Sequence, residues 1–209
     1  MRRGAFITVE GLEGVGKSTS LDVICAELRE AGHDPCVTRE PGGTPLGEKI
    51  REWVLHAEHG RLSAEVEALL MFAARAQHLE QVIRPALDDG IWVVCDRFTD
   101  ASYAYQGGGR GAKREFLDNL TRDIQGTLKP DLTLLLDAPV DTGLARIKGR
   151  ELDHFERENA AFFERVRNAY LALCAAEPER IKRIDASMSV ADVRGRIKAE
   201  LTAFLDRYR

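Results

Sequence analysis

The sequence has few of the features that mark membrane, secreted or nucleic-acid-binding proteins. Its longest uninterrupted apolar run, residues 68–74, is much shorter than the roughly 20 residues of a membrane-spanning helix. The apolar stretch that follows Met1-Arg2-Arg3 is too brief for a signal peptide. Thirty Lys and Arg residues stand against 34 Asp and Glu residues, a net charge of −4. Because the apolar runs are short, we expect no membrane association. Because the basic residues are scattered along the chain, we expect no broad cationic face for nucleic acid.

Cysteine is also scarce, with four residues that are far apart in the chain. Cys25, Cys36, Cys95 and Cys174 lie in apolar contexts, and no pair has the C-x-x-C spacing of a zinc or redox site. We therefore expect buried free thiols in a reducing cytoplasm rather than a disulfide framework. With 209 residues and no Pro/Gly/Ser-rich linker, the chain is expected to form one domain, residues 1–209.

What the sequence does have is an alternation of short apolar runs and helical patterns. Strands are predicted at residues 5–9, 35–38, 91–95, 132–136 and 181–184. Helical patterns cover residues 17–31, 64–89 with an interruption near Pro85, 113–125, 155–176 and 190–208. Nearly continuous apolar strands are typical of sheets that helices cover on both faces. The sequence thus predicts an α/β fold, a doubly wound five-stranded parallel sheet flanked by helices.

Charged residues follow each predicted strand. They are Glu10, Arg39-Glu40, Asp96-Arg97, Asp137 and Asp185. Open parallel sheets bind ligands outside the carboxyl ends of their strands, so these charges favour a site for phosphate and metal. The alternative, that a charge simply marks where a buried strand meets water, stays open, above all for Asp137 and Asp185.

A complete phosphate-binding motif lies between the first predicted strand and the first helix. Gly11-Leu12-Glu13-Gly14-Val15-Gly16-Lys17-Ser18 fits G-x-x-x-x-G-K-[ST], and Thr19 follows. In such a P-loop, backbone N–H groups cradle the phosphates, the lysine reaches the terminal phosphates and the serine hydroxyl ligates Mg²⁺. No N-K-x-D segment that would read guanine is present, and a motor or helicase usually needs a longer chain. Transfer of a phosphoryl group to a small acceptor is therefore the favoured class of reaction.

The segment after the third strand, residues 96–111, is rich in polar and aromatic groups and is the candidate acceptor site. Asp96 has the chemistry to hold a magnesium-bound water, and Arg97 to grip an anionic acceptor. Two further candidates are the turn at residues 38–45, which leads into a helix with Arg51, and the helical face that Arg75 shares with its apolar neighbours. The alternative for Gly42-Gly43 is that it only makes the turn and binds no ligand. The alternative for the apolar neighbours of Arg75 is that they belong only to the hydrophobic core.

Cations recur at Arg146, Lys148 and Arg150. This spacing is that of a solvated helix end or of a mobile lid that covers the transferring phosphates.

Together these motifs resemble bacterial thymidylate kinases, within the P-loop nucleoside monophosphate kinase family. The resemblance rests on Glu10–Ser18, T-R-E-P-G-G-T at Thr38–Thr44, F-A-A-R-A-Q-H at Phe72–His78, D-R-F-x-D-A-S-x-A-Y-Q-G-G-G-R-G at Asp96–Gly111, and P-D-L-T-L-x-L-D at Pro130–Asp137. Glu13 in the P-loop and the cations near residue 150 are similar to the subgroup that carries its catalytic arginine in the lid.

The resemblance implies a fold of the P-loop NTPase type and ATP-dependent phosphorylation of dTMP to dTDP with Mg²⁺, by a cytoplasmic homodimer. It implies catalytic roles for Lys17, Arg97, Arg146 and Arg150, with a mobile lid at about residues 143–156. ATP would be held by residues 11–19, and Mg²⁺ by Ser18 and Asp96. The implied dTMP contacts are Glu10, Glu40, Arg51, Phe72, Arg75, Arg97, Ser102, Tyr105 and Gln106, with Tyr105 disfavouring a ribonucleotide and Glu10 near the sugar or the metal.

Two departures from the family pattern leave alternatives. Family members commonly place a thymine-stacking aromatic residue four positions before the helix arginine, where this chain has Met71. Either Phe72 serves instead, which we expect, or Met71 packs on the base through its polarizable sulfur. His154 stands where an arginine is frequent. Whether Arg146 or Arg150 reaches the phosphates stays open. The competing functions are a kinase for another nucleotide or nucleoside and a nucleotide-binding regulatory protein without catalysis.

Overall fold

A computed structural model describes residues 3–56, 62–147, 155–156 and 158–208. Its centre is one parallel sheet with the strand order β2-β3-β1-β4-β5. The strands are β1 (Phe6–Gly11), β2 (Cys36–Arg39), β3 (Val93–Asp96), β4 (Leu132–Asp137) and β5 (Ile181–Asp185). Each predicted strand is present with ends within two residues of the prediction, so the five-stranded parallel sheet is confirmed.

Helices connect the strands and cover both faces of the sheet. They are α1 (Lys17–Glu30), α2 (Pro45–His56), α3 (Ala64–His78), α4 (Arg84–Asp88), α5 (Thr99–Ser102), α6 (Arg114–Leu120), α7 (Val140–Ile147), α8 (Ala160–Ala176) and α9 (Val190–Tyr208). Three π-helical turns, Leu79–Ile83, Tyr103–Gly109 and Thr121–Gln125, continue α3, α5 and α6. None of the helices in the described ranges is long and apolar enough to cross a membrane.

The long helix predicted at residues 64–89 is divided. Pro85 stands in the first turn of α4, directly after the π-helical turn Leu79–Ile83. In the interior of one continuous α-helix, Pro85 would lack the N–H that the hydrogen-bond pattern requires, whereas proline is tolerated in a first turn. The π-helical turn before α4 accommodates this interruption. The helix predicted at residues 155–176 begins only at Ala160, because the side chain of Asn159 caps it by accepting from the Phe162 N–H at 2.9 Å.

Strand β1 is buried along its whole length and divides the core in two. Ile7 and Val9 belong to a cluster with Leu28 of α1. Phe6 belongs to a cluster on the opposite face with Phe98. Successive side chains of a strand point to opposite faces, so the alternation fixes β1 between two helical layers. The parallel register then brings all five carboxyl ends to one edge of the sheet.

Candidate functional site

A cavity of about 520 Å³ lies at the carboxyl edge of the sheet. Most of the residues predicted for the site line it together. They are Glu13, Gly14, Gly16, Lys17, Ser18, Thr19, Glu40, Arg51, Arg75, Asp96, Arg97, Ser102, Tyr105, Gln106 and Arg146. The cavity is thus bounded by the P-loop on one side and by the segment after β3 on the other.

The P-loop has the geometry of an anion cradle. Gly11, Gly14 and Gly16 have φ values of +138°, +72° and +92°, which L-residues with a side chain rarely adopt. A Cβ atom on Gly14 would also lie 2.2 Å from the Gly143 carbonyl oxygen. No side chain caps the start of α1, so the N–H groups of its first turn are left for phosphate.

Gly11, Leu12 and Val15 form the body of this loop and do not contribute to the cavity wall. Leu12 and Val15 are buried in the hydrophobic core behind it, 6% and 4% exposed. Their contribution is to anchor the loop, whereas Gly14, Gly16 and residues 17–19 line the cavity.

Lys17 is folded back onto the loop. Its Nζ donates to the Leu12 carbonyl at 2.7 Å and lies 3.4 Å from the Gly11 carbonyl. Burial, and after it the positive charge of Arg97, lowers the pKa of Lys17 to about 8. A bound phosphate supplies the missing counter-charge and therefore favours the ammonium form.

Arg97 is fixed from two sides at the end of β3. Its Nη2 donates to Glu13 Oε1 at 2.9 Å, and its Nη1 donates to the Tyr170 hydroxyl at 3.1 Å. The guanidinium lies 4.8 Å from the centre of the Tyr105 ring, whose hydroxyl donates to both Glu13 oxygens at 2.7 and 2.8 Å. Arg97 also has a φ of +67°, a strained backbone conformation of the kind that clusters at functional sites.

Glu10, expected to approach the sugar or the metal, lies behind the cavity wall and does not line it. One carboxylate oxygen accepts from the Phe98 N–H and the other from the Tyr170 hydroxyl, each at 2.7 Å. Burial, and after it the negative charge of Asp100, raises the pKa of Glu10 to about 8. In this position Glu10 orients the strand end that carries Arg97.

Tyr170, the residue that joins Glu10 to Arg97, was missed by the sequence analysis. It lies on α8, 160 positions after Glu10, and its only local signal was a place in an amphipathic helical pattern. That pattern is equally typical of a tyrosine that only fills the core.

Arg75 supplies an unpaired donor at the other end of the cavity. Its side chain is 3% exposed; Nε donates to Glu40 Oε2 at 2.7 Å, and Nη2 donates to the Ser102 hydroxyl at 3.0 Å. The second oxygen of Glu40 lies 3.0 Å from His78 Nδ1. Arg75 Nη1 is buried without a hydrogen-bond partner in the structure. A buried donor left unpaired is costly, so Nη1 indicates a place for an acceptor on a ligand.

Met71, rather than Phe72, lines the cavity. Phe72 is fully buried with Ala68 and Leu117, and the Arg75 guanidinium covers its ring at 4.4 Å. Consecutive helix residues are rotated by about 100°, so only one of the two faces the ligand space. The stacking role expected for Phe72 therefore does not fit this geometry.

The metal candidates are Asp96 and Ser18, which both line the cavity. Asp96 Oδ1 is buried and has no hydrogen-bond partner. Carboxylate and hydroxyl oxygens are the hard ligands that Mg²⁺ prefers, usually one or two from the protein beside phosphate oxygens and water. The described ranges hold no cluster of three or more His, Cys, Asp or Glu residues with metal-binding geometry.

Arg51 closes the wall near Asp96. Its Nη1 donates to the Pro41 carbonyl at 3.1 Å, and burial together with the charge of Arg39 lowers its pKa. Asp137 and Asp185, in contrast, do not line the cavity. Asp137 is held by Arg167 at 2.7 Å and Arg183 at 2.7 Å, so its charge is engaged within the fold.

The region predicted as a lid is described only in part. Arg146, on α7, donates from Nη1 to the Ala186 carbonyl at 3.1 Å and lies 3.4 Å from the Gly14 carbonyl of the P-loop. Phe155 packs edge-on against Tyr105 at 5.7 Å. Lys148, Arg150 and His154 lie outside the described residues, so the choice between Arg146 and Arg150 stays open.

Known proteins are similar to this chain in sequence and in fold. The family model described as thymidylate kinase matches residues 9–197. A thymidylate kinase from Pseudomonas putida is 55% identical over 207 residues, 99% of each chain; one from Pseudomonas entomophila is also 55% identical over 207 residues, with the same coverage. The crystal structure of thymidylate kinase from Ehrlichia chaffeensis superposes with a TM-score of 0.77 at 29% identity, covering 96% of this chain and 99% of that one.

Proposed function

The chain belongs to the thymidylate kinase family and phosphorylates dTMP to dTDP with ATP, and we propose that the cavity described above is where the transfer occurs. The observation that carries this proposal is the arrangement of the cavity walls. A P-loop for the donor phosphates faces Arg97 and Arg75, the first placed for an anion and the second for a base. One cavity therefore brings together the groups suited to the donor phosphates and those suited to the acceptor.

The proposed reaction needs positioning and charge neutralisation more than covalent chemistry. The attacking group is an oxygen of the dTMP phosphate, which is already an anion near neutral pH, so no general base is required. Lys17 holds the terminal phosphates of ATP, and Arg97 holds the acceptor phosphate with help from Arg51. Their charges offset the repulsion between the two anions as they approach each other.

We assign the Mg²⁺ that kinases generally use to Asp96 and Ser18. The unpartnered Oδ1 of Asp96 and the Ser18 hydroxyl fit the requirement for oxygen ligands. When bound there, Mg²⁺ supplies positive charge beside the phosphates.

For the acceptor nucleoside, Arg75 Nη1 is assigned to a carbonyl oxygen of thymine. Met71 packs on the base through its polarizable thioether, with Ser102 and Gln106 beside it. Tyr105, whose ring is 6% exposed and whose hydroxyl is bound to Glu13, crowds the sugar so that a 2′-hydroxyl is disfavoured. Arg146 is assigned to the donor side, because it already contacts the P-loop.

The proposal is tested by measuring ADP release with dTMP, dUMP, UMP, dCMP and GMP as acceptors. We expect dTMP to give the highest kcat/KM and UMP a much lower one. A preference for another monophosphate, with no turnover of dTMP above background, would contradict the proposed acceptor.

Arg97→Ala tests the assignment of the acceptor phosphate. We expect kcat/KM for dTMP to fall by about 100-fold or more, because a charge-assisted, buried contact made to the reacting group is lost. The affinity for ATP, measured by calorimetry, should change by less than about threefold. Unchanged dTMP kinetics in a folded Arg97→Ala protein would remove Arg97 from the site.

We also propose that the chain is a homodimer in the cytoplasm. Val66 and Leu69 on α3 are 43% and 50% exposed, and Trp53 on α2 is 43% exposed, which favours an apolar contact along these helices. All four cysteines are free thiols, in agreement with a reducing compartment. Sedimentation of the protein and of Leu69→Glu tests the dimer: the wild type should sediment at twice the chain mass and the variant at the chain mass.

A further inference from the structure

Gln106 reaches the cavity from the π-helical turn Tyr103–Gly109, and a buried carboxylate sets the direction of its side-chain amide. Gln106 Nε2 donates to Glu67 Oε1 at 2.7 Å. A carboxylate only accepts hydrogen bonds, so the amide nitrogen faces Glu67. The carbonyl oxygen of Gln106 is then the amide atom left for a ligand in the cavity, where Gln106 is part of the wall.

Glu67 is in turn held by Arg110. The Glu67 side chain is 1% exposed and that of Arg110 is 3% exposed, with Arg110 Nε donating to Glu67 Oε2 at 3.0 Å. The far end of Arg110 donates from Nη1 to Glu158. Its guanidinium also lies over the Phe162 ring at 4.8 Å. Both carboxylate oxygens of Glu67 are therefore engaged, one by Gln106 and the other by Arg110.

The proposed contacts with phosphate do not explain the Glu67–Arg110 ion pair, because neither residue lines the cavity. Burying this ion pair is expensive. It connects α3, the turn that carries Gln106 and the segment after the predicted lid. Such a connection would serve binding if a ligand required the Gln106 amide to point in one direction.

We propose that Glu67 and Arg110 are positioning residues for acceptor selection. They hold the Gln106 carbonyl oxygen toward the cavity, so that the site favours a base that presents an imide N–H there, such as thymine or uracil. A base that presents an acceptor nitrogen at the same place, such as cytosine, meets an acceptor and is rejected. This inference rests on the proposed function, in which dTMP occupies this cavity.

The test compares kcat/KM for dTMP and dCMP in the wild type and in Glu67→Gln. A glutamine at position 67 both donates and accepts, so the Gln106 amide is free to turn over. We expect the dTMP/dCMP ratio to fall about 10-fold or more, mainly through a higher KM for dTMP, with kcat changed less than about threefold. Arg110→Lys, which keeps the charge but loses the two-ended contact, should lower the ratio in the same direction.

Two controls separate positioning from general damage. Asp137→Asn removes the charge of another buried carboxylate, one that pairs with Arg167 and Arg183 outside the cavity, and should leave the dTMP/dCMP ratio unchanged. In a Gln106→Ala background, Glu67→Gln should cause no further change in the ratio, since the amide that it orients is gone.

The outcomes distinguish this inference from the proposed function. If the wild type prefers dTMP and folded Glu67→Gln and Arg110→Lys proteins keep the full ratio, the positioning role is refuted. It is also refuted if Glu67→Gln shifts the ratio equally in the Gln106→Ala background. Absence of dTMP turnover in the wild type would instead contradict the proposed function itself.

Discussion

Neutralising Glu40 should show how much the stability of the fold depends on the Glu40–Arg75 ion pair in the cavity wall. The Glu40 and Arg75 side chains are 5% and 3% exposed and are joined at 2.7 Å. Because both are desolvated, removing one charge leaves the other buried without its counter-ion. Loss of one partner of such a pair typically costs about 3–5 kcal/mol, a large share of the stability of a domain of this size.

Glu40→Gln isolates the charge because the hydrogen bonds can be kept. The amide oxygen of a glutamine accepts from Arg75 Nε, and its NH₂ group donates to His78 Nδ1. His78 then carries its proton on Nε2 and donates to Thr38 Oγ1, which already lies 2.7 Å away. Only the negative charge is lost, so we expect a loss of about 3 kcal/mol or more for Glu40→Gln.

A double-mutant cycle with Arg75→Met measures the coupling directly. The four free energies of unfolding are obtained from urea titrations at pH 7, without ligand, after equal m-values have been verified. The double variant carries neither charge, so its loss should be smaller than the sum of the single losses by about 2–3 kcal/mol. A coupling below about 1 kcal/mol, or a Glu40→Gln protein as stable as the wild type, would refute the reasoning.

Three further predictions concern stability, ATP and the base. Since the pKa of Glu10 is raised to about 8 in the folded protein, the folded state binds more protons than the unfolded one between about pH 4.5 and pH 8. The free energy of unfolding should therefore fall by up to about 1.4 kcal/mol per pH unit across that range. Urea titrations of Glu10→Gln should lack this contribution, and an equal slope in the variant would contradict it. Gly14→Ala should weaken ATP binding in calorimetry by about 10-fold or more, because its Cβ would meet a carbonyl at 2.2 Å, whereas Gly32→Ala, with nothing within 4 Å, should cost only about 1 kcal/mol of stability. Phe72→Ala should cost about 3–5 kcal/mol in urea unfolding, while Met71→Ala should mainly raise the KM for dTMP; the reverse pattern would return the base contact to Phe72.

The fold was predictable because its signals are local. The apolar run at Phe6–Val9 and the P-loop at Gly11–Ser18 are contiguous in sequence, and strand-helix alternation leaves few topologies for a parallel sheet. The convergence of Asp96 and Arg97 with Lys17 also followed, because parallel strands bring their carboxyl ends to one edge.

The sequence could not predict which side chain of a helix faces the cavity, nor which residues far apart in the chain form hydrogen bonds. Met71 and Phe72 are neighbours in the chain, and only the packing of α3 decides which one turns inward. Tyr170 meets Glu10 across 160 positions, and Gln106 meets Glu67 across 39. No local periodicity encodes such pairs, since they arise where elements that are distant in sequence pack together.

The contacts of Arg97 explain why the acceptor phosphate can bind without rearranging its partner. A guanidinium has five N–H donors, and in the described part of the chain two of the Arg97 nitrogens donate one hydrogen bond each, to Glu13 and Tyr170. The remaining donors suffice for a phosphate, so neither fixed contact has to break. Lys17 differs, because two of the three N–H donors of its ammonium group already face carbonyl oxygens of the loop, those of Leu12 and Gly11, which leaves one donor for a phosphate. In the proposed site the acceptor contact at Arg97 is therefore preorganised by side chains, whereas the donor contact at Lys17 is shared with the carbonyl groups of the loop.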